Sequence, residues 1–231
     1  AALTYFPLFH ALTNAANPQL AAATASSPVA VYADPADCNL QFDPVGKTVF
    51  NQSCDLAKSY LAKAGVTYTN VAAPAGTVAE VRIGSVVIPS FRGEALSAAD
   101  FKAQKKVWDE NLAAALRTAG YPAKADSALV NKPVVVGILF ILVFYVTMVY
   151  GPIAAALVEM FPTNIRYTSM SLPYHIGNGW FGGFLPTTAF AMVAATGNIY
   201  YGLWYPIVIA IATAVLGFLL VKEGKDVDIH V

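Results

Sequence analysis

The chain has 231 residues, of which 57% are hydrophobic and only 12% are charged, with 14 basic and 14 acidic side chains. Soluble domains carry about 25% charged residues, so this composition excludes intrinsic disorder and argues against an ordinary soluble protein. A net charge of zero offers no field that attracts phosphates, so we expect no nucleic-acid partner. The charges are also segregated, because residues 31–132 hold 21 of the 28.

The first twelve residues are apolar, but as a helix they reach only about 18 Å, too short to cross a bilayer. We interpret residues 1–13 as the end of a membrane helix, which predicts that the chain is a C-terminal fragment. A soluble core helix is the alternative. Small residues and a proline then lead into a polar region, so residues 14–131 are assigned to an extracytoplasmic loop and insert.

The charge-rich region, residues 32–132, is called the insert and is predicted to fold as a small α+β module. The helix predicted from Asp55 to Ala64 is amphipathic and ends before a glycine. Two alternating segments, Val78–Ile83 and Val86–Phe91, are joined by Gly-Ser and predict a β-hairpin. Ser97 begins a second helix in a Ser-x-x-Asp capping box.

The chain has two cysteines, Cys38 and Cys54, and both lie in the insert. A pair confined to this region predicts a disulfide formed in an oxidising compartment. Closing a loop of about 15 residues would contribute about 3 kcal/mol in the chain-entropy model. Two free thiols are the alternative. The insert contains no histidine, so we expect no metal site there.

Two charge-free runs, 133–158 and 167–221, predict three membrane spans. The first runs from Pro133 to about Met160, the second from Tyr167 to about Ala195, and the third from Tyr200 to Val221. The second contains two prolines and a cluster of glycines, which predict a bend of the kind tolerated beside a cavity. A merely kinked structural helix is the alternative.

Basic residues indicate the orientation. Arg166 lies between the first two spans, while Lys222 and Lys225 follow the third, so two crossings place them on one side. The positive-inside rule makes that side cytoplasmic and places the insert outside. Residues 132–231 are therefore assigned to three membrane helices and a short cytoplasmic tail. The predicted fold class is an all-α membrane protein with a small α+β extracytoplasmic insert, and the bilayer is its partner.

Glycines in the second span match the dinucleotide-binding pattern G-x-G-x-x-G from Gly177 to Gly182. That pattern binds a cofactor only between a strand and a helix, and here it lies inside a membrane-length apolar run, so we reject it. Gly179 and Gly183 form a small-xxx-small pair instead, which predicts close helix packing.

Glu159 and Arg166 flank a Pro-Thr turn in the sequence EMFPTNIR. This stretch, with the rest of Gly151–Ser171 and with Leu172–Pro186, resembles the tenth and eleventh helices of major facilitator superfamily transporters, and particularly the metabolite:proton symporters. Residues 1–13 resemble the ninth helix more weakly, which implies a partial helical bundle with an unusually long loop between helices nine and ten. Asn164 departs from the family, in which many members have a basic residue there.

The resemblance implies proton-coupled symport of a small polar metabolite, an organic acid or zwitterion, by alternating access. It implies a bacterial inner-membrane protein that is a monomer when complete, uses the proton gradient without a cofactor, and requires N-terminal helices of the same transporter. Glu159 and Arg166 would belong to a cytoplasmic charge network. Without the resemblance, the pair is an ordinary charged loop that anchors two helices.

His175 is the only histidine in the second charge-free run, and Asn178 lies on the same helical face. An ionisable residue inside a membrane is by default a functional candidate, so both are predicted to line the substrate cavity. A neutral histidine bonded to a neighbouring helix is the alternative. The further cavity candidates are aromatic: Tyr174, Trp180 and Tyr145.

Two other classes of protein compete with a transporter. A receptor or scaffold would use the insert as a ligand-binding module on helical anchors, but simple anchors need no broken helix. An intramembrane enzyme is less favoured, because the chain lacks H-E-x-x-H and G-x-S-x-G and His175 has no acidic partner in its run. We therefore do not expect an enzyme.

Overall fold

The computed structural model describes residues 2–220, so the predicted cytoplasmic tail and the predicted end of the third span at Val221 lie outside the described residues. In chain order the helices and strands are α1 Tyr5–Ala16, α2 Pro18–Ser26, β1 Val29–Ala33, α3 Ser53–Lys63, β2 Tyr68–Ala72, β3 Glu80–Ile83, β4 Val86–Pro89, α4 Ala98–Thr118, α5 Lys132–Glu159, α6 Arg166–Ile176, a π-helix Gly177–Gly182, α7 Leu185–Thr196 and α8 Trp204–Leu220.

The N-terminal helix extends further than the apolar segment that predicted it. α1 continues to Ala16, and α2 follows after a single intervening residue, Asn17. The Asn17 side chain accepts a hydrogen bond from the Leu20 N–H at 3.2 Å, and Pro18 occupies the first turn, where no N–H is needed. The stretch of small residues and a proline that we read as an exit into the polar region therefore contains a capped helix.

The sheet of the insert has four strands in the order β2-β1-β3-β4. β3 and β4 form the predicted hairpin, with Ile83 opposite Val86. β1 lies parallel to β2 and antiparallel to β3. β1 and β2 were not predicted from the sequence, because each has only five residues and its pairing partner is distant in the chain. β2 is an edge strand.

The core of the insert lies where α3 and α4 cover the sheet. Leu61 and Leu112 are fully buried, and Val81 of β3 is fully buried beside them. α4 begins as predicted, because the Ser97 side chain accepts a hydrogen bond from the Asp100 N–H at 3.2 Å. The Asp100 carboxylate accepts from the Ser97 hydroxyl rather than from its backbone N–H, so the predicted capping box is only half formed.

The apolar part of the chain forms the predicted helices. α5 has 28 residues and spans about 42 Å, and the helical segment Tyr201–Leu220 has 20, so two described helices are long and apolar enough to cross a membrane. The second predicted span is divided, because α6 has 11 residues and α7 has 12. The result is a largely helical protein with one small mixed sheet.

Candidate functional site

A π-helix lies where the sequence predicts a bend in the second span. The Gly183 N–H donates to the carbonyl of Asn178, five residues earlier, at 2.9 Å. A Cβ on Gly183 would lie 2.2 Å from the carbonyl oxygen of Gly179, so the wide turn leaves no room for a side chain there. The glycine pattern therefore lies inside a helix, where it cannot cradle a dinucleotide phosphate.

Gly179 and Gly183 do not bring a second helix close within the described residues. A Cβ on Gly179 would meet no atom within 4 Å, and the contact of Gly183 is with Gly179 itself. In residues 2–220 the pair therefore shapes the π-helical turn. Packing against another helix stays a prediction.

The cavity candidates are only partly gathered. His175 and Tyr174 share the wall of a cavity of about 280 Å³ between α5 and α6, and their ring centroids lie 5.9 Å apart. The Asn178 amide donates to the Tyr174 carbonyl at 3.0 Å, so its N–H already has a partner inside the helix. Their role in binding a substrate stays a prediction.

The other two candidates lie away from this cavity. The Tyr145 hydroxyl lies 3.4 Å from the Thr4 hydroxyl, where α5 packs beside the N-terminal segment. Trp180 is 67% exposed, and its ring lies 6.3 Å from the ring of Phe184 between centroids. The spacing of residues along one helix could not predict these positions, because they depend on which other elements pack against that helix.

The charged pair at the predicted cytoplasmic turn is not an ion pair within residues 2–220. The Arg166 Nε donates to the Phe161 carbonyl at 3.0 Å, which ties the guanidinium to the turn between α5 and α6. The Arg166 Nη2 is buried and has no hydrogen-bond partner in this part of the chain, while Glu159 is exposed at the end of α5. Arg166 thus retains an unused donor for a further acceptor.

A larger cavity, of about 680 Å³, lies among α1, α5, α7 and the start of α8, with the end of α3 at its wall. Its lining is almost entirely apolar. The sequence does not reveal this cavity, because its walls come from elements that are far apart in the chain. The α5 and α7 residues on its wall are Leu142, Val146, Leu185, Ala189, Phe190 and Val193.

The insert is attached to the end of α7 by hydrogen bonds from β2. The Tyr68 N–H donates to the Gly197 carbonyl at 2.9 Å, and the Tyr68 hydroxyl donates to the Ala194 carbonyl at 2.6 Å. The Asn70 amide lies 3.1 Å from the carbonyls of both Ala195 and Thr196. A helix leaves its last four carbonyls without internal partners, so this edge strand acts as the C-terminal cap of α7.

A disulfide joins Cys38 to Cys54 and closes the loop between β1 and α3. The neighbouring Asp55 is fully buried, and its carboxylate accepts from the backbone and side-chain N–H groups of Asn39 at 2.8 and 2.7 Å. Burial raises the pKa of Asp55 and lowers that of Lys58. Within residues 2–220, no group of three metal-ligating side chains occurs.

Comparison with known proteins identifies relatives of part of this chain. It is 38% identical over 91 residues to a "Putative metabolite transport protein" of Haemophilus influenzae, which covers 38% of this chain and 19% of that protein. It is 32% identical over 91 residues to a "Putative proline/betaine transporter" of Staphylococcus haemolyticus, which covers 39% of this chain and 19% of that protein. The resemblance to metabolite transporters is confirmed.

A second Haemophilus influenzae relative with the same description is 33% identical over 85 residues, or 36% of this chain and 18% of that protein. The matched parts thus span about a fifth of the length of these relatives. No family model and no solved structure matches the chain. The names are those of transporters, not enzymes, and two membrane-length helices agree with a membrane protein.

Proposed function

We propose that the chain is part of a proton-coupled symporter for a small polar metabolite, an organic acid or zwitterion. The observation that carries the proposal is the broken second span, which lies between two helices of membrane length in a chain similar to metabolite transporters. Interrupted helices are tolerated at membrane depth where they line a cavity, and secondary transporters use them at their solute sites.

In this proposal α6, the π-helix and α7 form one wall of a pathway that opens alternately to the two sides. The Arg166 guanidinium, with its unused Nη2 donor, and the exposed Glu159 carboxylate would take part in a cytoplasmic charge network when the pathway is open outward. His175 would lie on the pathway wall, where its side chain lines the cavity between α5 and α6. The insert would lie on the periplasmic side of a bacterial inner membrane.

The test is uptake of labelled proline, betaine and organic acids by cells that make the full-length protein, at two external pH values. We expect uptake to rise with an inward proton gradient and to be abolished by a protonophore. Glu159→Gln should lower uptake without changing the amount of protein in the membrane. Glu110→Gln, which removes an exposed carboxylate on α4, is the matched control.

Two results would contradict the proposal. Uptake that does not respond to the proton gradient would contradict proton coupling. Uptake at the wild-type rate by Glu159→Gln would contradict a role for the charge network. Saturable binding of a solute without uptake would favour the rival function, a receptor with the insert as its binding module. The attachment of the insert to a broken helix, rather than to a simple anchor, is the observation against that rival.

A further inference from the structure

The loop between the two cysteines, residues 39–53, reaches far along the second span and is called the disulfide loop. The ring of Phe42 in this loop lies 6.2 Å from the ring of Phe184, just before α7 begins. A second contact of the insert, Tyr68 with Gly197, lies just after α7 ends. Since α7 has 12 residues and a length of about 18 Å, the insert lies beside α7 from one end to the other.

The contacts of α7 indicate how deep the disulfide loop lies. Leu185 and Ala189 of α7 line the same cavity as Leu142 and Val146 of α5. These α5 residues lie about 14–20 Å along the helix from Pro133, where its charge-free run begins. The hydrocarbon core of a bilayer is about 30 Å thick, so this part of α5, with Phe184 and the neighbouring Phe42, lies near the middle of the core.

The disulfide loop does not have the chemistry of a lipid-exposed segment. Residues 38–52 form no helix or strand, and the N–H groups of Leu40 and Val49 donate to no acceptor within the described chain. The loop also carries Asp43 and an exposed Lys47. Unpaired backbone groups and charges are costly in hydrocarbon, and irregular backbone at this depth occurs only inside protein or beside water.

We propose that the disulfide loop lines a water-filled vestibule on the outer side of the transporter, and that the cavity between this loop and α7 binds a small zwitterionic solute there. The inference rests on the proposed function and adds a binding site that the insert itself helps to form. The cavity has a volume of about 460 Å³ and includes polar side chains from the loop, from α3 and from α7: Gln41, Asp43, Ser59, Lys63 and Thr187, beside Phe190.

Two groups on this wall have unused bonding capacity. Gln41 is 3% exposed, and its Nε2 donates to the Asp55 carbonyl at 2.8 Å. A carbonyl only accepts, so this bond fixes the orientation of the amide and leaves Oε1 as an acceptor, which has no partner in the described residues. Lys63 forms no ion pair within residues 2–220. In a zwitterionic solute, the carboxylate would pair with Lys63 and the ammonium would lie near Gln41, so both protein groups would gain a partner.

Cysteine labelling tests the vestibule, because the two native cysteines are joined in the disulfide and do not react. Thr187→Cys lies on the cavity wall, whereas its neighbour on α7, Thr188→Cys, does not and is the matched control. In intact cells with the full-length protein, we expect a membrane-impermeant maleimide to label Thr187→Cys at least tenfold faster. Equal labelling rates for the two variants, or no labelling of Thr187→Cys, would overturn the proposal that the loop lines a water-filled vestibule.

Protection by solute tests the site. Proline at saturating concentration should slow labelling of Thr187→Cys at least threefold, and the added Lys63→Gln substitution should remove this protection. Thr48→Cys, on the loop side of the cavity, is a second reporter that should behave in the same way. Absence of protection at both positions would overturn the binding site. Labelling needs no transport, so a failure of uptake with normal protection would count against the proposed function alone.

Discussion

The Tyr68 hydroxyl donates to the carbonyl of Ala194 at 2.6 Å, although the two residues are 126 positions apart in the chain. Tyr68 is only 3% exposed, and burial raises its pKa, so the hydroxyl stays protonated and remains a donor at physiological pH. This bond and its neighbours join a strand of the insert to the end of α7. The insert and the second span therefore behave as one structural unit.

Tyr68→Phe removes this donor and leaves the Ala194 carbonyl buried without a partner. We expect a loss of stability of about 1–3 kcal/mol, measured by thermal unfolding in detergent. Tyr60→Phe is the control, because Tyr60 is a half-buried residue of α3 whose hydroxyl has no partner in the described residues. Equal losses in the two variants would contradict a specific bond to α7.

Gly197→Ala should separate the insert from α7. A Cβ at Gly197 would lie 2.1 Å from the Tyr68 carbonyl oxygen, and the backbone has a φ of 80°. Gly76→Ala is an unusually close control, because it has the same φ of 80° and no atom within 4 Å of its Cβ. Both variants are strained, but only Gly197→Ala should expose the end of α7 to protease. Similar cleavage of both would show that backbone strain alone acts.

Gly183→Ala should distort the π-helix. The added Cβ would lie 2.2 Å from the Gly179 carbonyl oxygen, whereas at Gly177 it would meet nothing within 4 Å. We expect Gly183→Ala to lower uptake by the full-length protein at least tenfold and Gly177→Ala to leave it within about twofold. Unchanged uptake by Gly183→Ala would mean that uptake does not depend on the wide turn.

Reduction of the disulfide should destabilise the insert. The cysteines are 16 residues apart, and a loop of this length corresponds to about 3 kcal/mol in the chain-entropy model. Cys38→Ser with Cys54→Ser should therefore lower the unfolding temperature in the absence of reductant, and wild-type protein with reductant should match it. A thiol assay should detect no free thiol in the untreated protein. Two free thiols would contradict the pairing.

Acid should weaken the insert through Asp34. Its carboxylate accepts from the N–H groups of Gly76 at 2.7 Å and Ala36 at 2.9 Å, and these bonds lower its pKa below 3.8. A carboxyl with a lowered pKa stabilises the fold above its unfolded pKa, and this stability disappears as the pH falls through the folded pKa. The unfolding temperature of Asp34→Asn should therefore change less than that of the wild type as the pH falls below 3.8. Asp126→Asn, which removes an exposed carboxylate, is the control.

Local signals in the sequence were sufficient for much of this protein. The hairpin, the Ser97 cap, the apolar extent of α5 and the break in the second span each depend on residues within a few positions of one another. Spacing and turn chemistry of this kind act over short windows, so they can be read without knowing the fold. The sequence by itself therefore determined the class of protein and its relation to transporters.

Only the tertiary structure decided which elements meet. β1 and β2 pair across the whole of α3, Tyr145 lies beside Thr4 rather than beside His175, and Tyr68 caps a helix 126 residues away. None of these contacts has a periodic signature, because each depends on the complementary surface of a distant segment. Apolar periodicity shows that a face is buried, but the partner of that face is chosen by packing and by the need to pair the free carbonyls at the end of α7.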